Sequence, residues 1–167
     1  HAQGYYNEET AQARARQRMW LTGTYLLTNI GRLYLTLYGP GELNAVSHVL
    51  WYPEFELDLG PWKSEWQGLS QLVWNTVLRR EYQKGWVLCN VSATARNVAL
   101  PDTMYLAEDD GSTTQYWADR TTGAENVGLK YTPVTSVSMP AMSAAVVFFE
   151  KPAPTCTMSL PGDFDGN

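Results

Sequence analysis

Residues 79–92, RREYQKGWVLCNVS, constrain the fold of this chain more than any other stretch. Leu78, Arg80 and Tyr82 alternate with Arg79 and Glu81, the period-two pattern of a strand with one wet face and one buried face. Gln83-Lys84-Gly85 reads as a turn, with Gly85 free to take positive φ. Trp86 to Val91 is a short apolar run of strand formers. A charged strand paired with an apolar one belongs in a two-layer β-domain.

The sequence after Leu72 repeats this character. Strands are predicted at Val73–Val77, Leu78–Tyr82, Trp86–Val91, Ala95–Leu100, Met104–Ala107, Thr113–Trp117, Val134–Met139 and Ala144–Glu150. Turns are expected at Pro101-Asp102, Asp110-Gly111 and Thr121-Thr122-Gly123. Short strands so punctuated predict an antiparallel β-sandwich over 71–151, with Val146 to Phe149 in its last, central strand. Residues 152–167 begin as a linker, because KPAPTCTMSLP combines three prolines with no apolar period.

The first seventy residues read differently. His1 to Tyr6 suits the end of a strand. Asn7 is a good N-cap, with Glu8 and Glu9 in the first turn, where carboxylates suit the helix dipole. A helix is predicted from there to Ile30. It places Ala11, Ala15, Met19, Thr22, Leu26 and Ile30 on one face, with Arg14 and Arg18 off it, and Gly31 stops it. Leu33 to Tyr38 is a strand, and Glu42 to Leu50 is a short helix or a loop. In Trp51 to Trp62, WYPEFELDLGPW, Phe55, Leu57 and Leu59 alternate with Glu54, Glu56 and Asp58. That predicts a half-buried strand whose three carboxylates share the wet face. Lys63 to Ser70 is a loop. The fold class is therefore α+β, an N-terminal helix and strands followed by an antiparallel β-sandwich. One helix and one or two strands cannot close a barrel, so the N-terminal segment is expected to borrow partners from a longer parent chain or a neighbouring subunit. The chain opens on His1 and is read as part of a longer polypeptide.

Several functional classes are disfavoured by composition. Net charge is −5 and the basic residues form no tract, which argues against a nucleic-acid partner. No apolar run reaches the length of a membrane span. Cys89 and Cys156 lack metal spacing and read as two unrelated thiols or one disulfide. No P-loop, GxSxG, HExxH or paired CxxC is present. His48 reads as a packed or surface histidine, and Glu54, Glu56 and Asp58 as the wet side of a strand. Asn90-Val91-Ser92 is an N-glycosylation sequon, usable only if the Asn90 side chain points out of its strand. Seven Trp and ten Tyr are enough to pack a sandwich and to stack on the C–H faces of sugars.

Together these features resemble the C-terminal end of a (β/α)₈ glycoside hydrolase. YLLTNIGRLYLTLYG followed by WYPEFELDLGPW is similar to the glycosyl hydrolase-like barrel proteins, and SVSMPAMSAAVVFF resembles the final strands of their β-domain. The resemblance implies that His1 to Asn7 ends barrel strand seven and that Leu33 to Tyr38 is strand eight. Tyr5, Tyr6, Asn7, Glu8 and Tyr38 would then face the cleft at the C-terminal ends of the strands, with Trp51 and Tyr52 as a stacking platform. Strands one to six are absent and no opposed carboxylate pair is identified, so this piece is expected to be inactive by itself. The tail GDFDGN resembles the opening of a dockerin or EF-hand loop, with Asp163, Asp165 and Asn167 as calcium ligands one, three and five in a longer parent. The implied protein is extracellular and acts on carbohydrate. The rival reading is a non-enzymatic extracellular module that binds sugar or assembles with copies of itself.

Overall fold

The computed structural model describes residues 11–29, 52–63, 65, 68–118, 121–126 and 128–153. These residues contain one α-helix, α1 (Ala11–Thr28), and eight strands: β1 (Val73–Trp74), β2 (Val77–Glu81), β3 (Gly85–Asn90), β4 (Arg96–Asp109), β5 (Thr113–Ala118), β6 (Thr121–Asn126), β7 (Leu129–Met139) and β8 (Ser143–Phe148). Six strands form an antiparallel sheet in the order β1-β2-β3-β8-β4-β7, and β5 pairs with β6 in a separate hairpin. The fold is mixed α+β with a mostly β core.

The predicted hairpin forms, with Arg79 opposite Leu88 and Glu81 opposite Trp86. Gly85 is glycine for a different reason than the turn. It opens β3 without positive φ, and a Cβ there would strike the carbonyl oxygen of Val147 on β8. β3 lies between β2 and β8 and is buried along its whole length, so Trp86 to Asn90 show no polar alternation.

Pro101-Asp102 is not a turn. β4 runs through it as one strand, and the register with β7 steps between Ala99↔Ser136 and Met104↔Val134. A bulge tolerates proline because the ladder is already interrupted there. Thr121-Thr122-Gly123 likewise lies within β6, where Ala118↔Thr121 and Trp117↔Thr122 pair. The β4–β7 ribbon bends at the bulge. Only Tyr105 and Leu106 of β4 pair with β8. Val98, Leu100, Val137 and Met139, from the far half of the ribbon, pack instead on Trp86, Leu88, Ala145 and Val147. The sheet thus covers one of its own faces, which makes it sandwich-like.

The other face is covered by α1 and residues 52–62. Val87, Cys89, Val146 and Phe148 meet Leu27, Leu57 and Leu59 there. The buried side of α1 is wider than the predicted stripe. Ala15 and Thr22 are buried as expected, Met19 and Leu26 are half-buried, and Gly23, Leu27 and Arg18 are buried as well. Gly23 lets the helix lie close on β8, since a Cβ would collide with that of Ala144. This helix face finds its cover on the chain's own sheet, where partners from elsewhere were expected. Pro53–Glu56 is a 3₁₀ turn and not a strand. The predicted helix start at Asn7, the strand Leu33 to Tyr38 and residues 154–167 lie outside the described residues.

Candidate functional site

Two groups of charged side chains fix α1 to the sheet. Near the helix middle, Arg18 projects into the interior, where its Nε donates to both carboxylate oxygens of Glu54 at 3.2 Å. Both side chains are essentially inaccessible, at 0% and 1% exposure. The guanidinium carbon also lies 4.6 Å from the ring centre of Tyr52, which packs edge-on against Phe55. Burial pushes the Glu54 carboxyl above its ordinary 4.5, and this outweighs the opposing pull of Arg18.

At the helix C-terminus the last carbonyls have no partner within the helix. Arg80 of β2 supplies donors, its Nη1 reaching the carbonyl oxygens of Leu26 at 3.0 Å and Leu27 at 3.2 Å, and that of Asn29. The Tyr82 hydroxyl also donates to the Leu26 carbonyl. A buried cation at the negative end of the helix dipole is favourably placed. It is sandwiched by Trp62, 4.8 Å from the guanidinium carbon, and Tyr82.

A groove of about 580 Å³ opens beside α1. Gln12, Arg16 and Trp20 line it from the helix, Glu108 and Lys130 from the β4–β7 ribbon, and Met142 from the turn before β8. Glu54 reaches its inner end. Glu108 and Lys130 are directly opposite across the ladder, so their side chains emerge on one face. Glu108 accepts from the Thr132 hydroxyl at 2.8 Å. Met142 takes φ +50 and is 55% exposed, a left-handed backbone usually given to glycine or asparagine.

On the opposite face of the sheet, Arg79 stacks on Trp74 at 4.6 Å and on Trp86 at 4.4 Å. Phe149 meets Trp86 edge-on, and Lys63 lies 5.0 Å over Phe149 while its ammonium bonds Glu81 at 2.6 Å. These rings already carry cations on their faces, and the row closes the rim of the core.

Comparison with protein-family models, curated proteins and solved structures gives no match. The site therefore rests on its own geometry.

Of the residues singled out from the sequence, Tyr5, Tyr6, Asn7, Glu8, Tyr38, Trp51, Asp163, Asp165 and Asn167 lie outside the described residues, as do His48 and Cys156. Tyr52 is buried beneath Arg18, which leaves no open ring face for stacking. Asn90 points inward, fully buried. Its amide donates to the carbonyls of Thr94, Met139 and Pro140, and its Oδ1 accepts from the Ser92 backbone and hydroxyl. The outward orientation that a glycan needs is not met; Asn90 organises the turn after β3. The three carboxylates do not share a face, for Glu54 is interior while Asp58 is exposed and bonded to Lys84. Cys89 is a buried free thiol, pushed up to about 12 by desolvation and so inert. Among the described residues no three His, Cys, Asp or Glu gather as a metal site would require. None of those residues form a helix long and apolar enough to cross a membrane. The groove residues were missed because Arg16 and Trp20 lie outside the apolar stripe from which the helix is recognised. The only signal available was a tryptophan outside the apolar stripe.

Proposed function

We propose that this chain is the carbohydrate-engaging C-terminal portion of a secreted glycoside hydrolase-like protein, in which the sandwich-like body and the helix seated on it present a binding surface and leave bond cleavage to residues elsewhere in the parent. The observation that supports this reading is the seating of α1. Arg18–Glu54 holds its middle and Arg80 with Tyr82 holds its end, so the helix is fixed at two points on the face it shares with residues 52–62. A scaffold that must hold helix-borne residues to sub-ångström tolerance benefits from such fixed packing.

The test is affinity electrophoresis of the chain through gels containing soluble neutral polysaccharides, beside a reducing-sugar assay on the same polymers. Retardation without release of reducing ends is expected. Unretarded migration in every polymer contradicts carbohydrate engagement, and release of reducing ends contradicts the assignment of chemistry elsewhere.

A further inference from the structure

We propose that the groove beside α1 is a binding site for a neutral oligosaccharide, with Trp20 as its stacking platform and Met142 as its apolar rim. This deepens the carbohydrate reading above and rests on it.

Four features of the groove carry the inference. Its volume, about 580 Å³, falls within the range of small-ligand sites. Among its described lining residues the charges balance: Arg16 and Lys130 face Glu108 and Asp109, and Glu54 is already paired with Arg18. A groove without net charge offers many hydrogen-bond donors and acceptors but no field to favour an ion. Neutral polyhydroxyl chains need that combination, because vicinal hydroxyls both donate and accept. Trp20 is half-buried, packing in part against the core beneath α1, and also lines the groove, where the C–H face of a pyranose can meet it. An extended peptide would instead look to β7, the edge strand of the sheet among the described residues, where a tryptophan platform is unnecessary.

Met142 is the fourth feature. It holds a left-handed backbone that glycine would occupy without strain, yet presents an exposed thioether at the groove's rim. Strain kept at the margin of a site points to a role for the side chain that causes it. The thioether is unbranched and polarizable, suited to contact with the uneven apolar edge of a sugar.

The experiment is isothermal titration calorimetry of the full chain with cellopentaose, xylopentaose and mannopentaose, with oligogalacturonate as the charged comparison. Binding of at least one neutral probe is expected. Trp20→Ala should weaken it about tenfold or more, Trp20→Phe should retain most of it, and Arg16→Ala, at an exposed position, should weaken it about threefold to tenfold. Met142→Gly should raise the melting temperature by about 2–5 °C and still lower affinity, a split that a purely structural methionine would not give. Arg16→Ala and Met142→Gly keep the proposal open to refutation if Trp20→Ala fails to fold. Neutral-probe binding that none of these variants changes overturns the groove while leaving the carbohydrate reading intact. Tighter binding of oligogalacturonate than of every neutral probe overturns the neutral-ligand assignment, and no binding of any probe overturns both.

Discussion

Gly23 shows how packing overrides local preference. In an exposed helix Gly→Ala stabilises by about 1 kcal/mol. At Gly23 the added Cβ would collide with Ala144 Cβ, with Cys89 Sγ also at 3.7 Å. Overpacking costs about 1–3 kcal/mol and wins. Gly23→Ala is therefore expected to lower the unfolding free energy by about 1 kcal/mol or more, measured by urea denaturation. Arg80 has the larger stake. Arg80→Leu removes the donor for three helix-end carbonyls and is expected to cost about 3 kcal/mol, with Arg80→Lys recovering less than half, since an ammonium cannot reproduce the planar stack on Trp62. Neither role was legible in the chain. Period-two reading puts Arg80 on one face with Leu78 and Tyr82, but carries no sign that its charge meets the end of a helix. Period-3.6 reading put Arg18 off the helix face, because its partner Glu54 is 36 residues away and local pattern carries no such distance.

At the level of elements, a buried ion pair lies in the contact between α1 and the 3₁₀ turn at Pro53–Glu56. Removing one partner should cost about 3–5 kcal/mol, whereas Arg18→Met with Glu54→Leu should stay within roughly 1–2 kcal/mol of wild type, because no buried charge is left alone. The pair also leaves a signature with pH. The folded carboxyl titrates above its ordinary 4.5, so between that value and the raised one the folded chain holds a proton that the unfolded chain has released. Raising pH through this window therefore favours unfolding. The double variant should show a shallower fall in unfolding free energy from pH 4.5 upward, measured by chemical denaturation at each pH. Asp58 acts in the opposite direction, held low by Lys84, but it is exposed and its effect is screened. Most strands were legible because β-branched and aromatic runs mark them. The boundaries that failed have physical causes: a bulge let β4 pass through Pro101, and β6 is too polar and glycine-containing to stand out. The alternation at 53–59 was real, yet it was read as a strand. Leu57 and Leu59 do go inward, but Pro53 starts a 3₁₀ turn that carries Glu54 inward as well.

Across the whole molecule, a single sheet buries both of its faces, one by folding its own ribbon over and the other by holding α1 and residues 52–62. The α+β class and the antiparallel core could be read from patterning. The groove could not, because it forms where a helix, a ribbon end and a turn meet, at residues widely separated in the chain. In this fold α1 is an integral layer on the sheet, and native-state hydrogen exchange measures that integration. Amides from Arg18 to Leu27 should exchange only through the same global opening that frees β3 and β8, with matching denaturant dependence. Exchange of the helix at the rate of an isolated peptide, while the sheet stays protected, would contradict it.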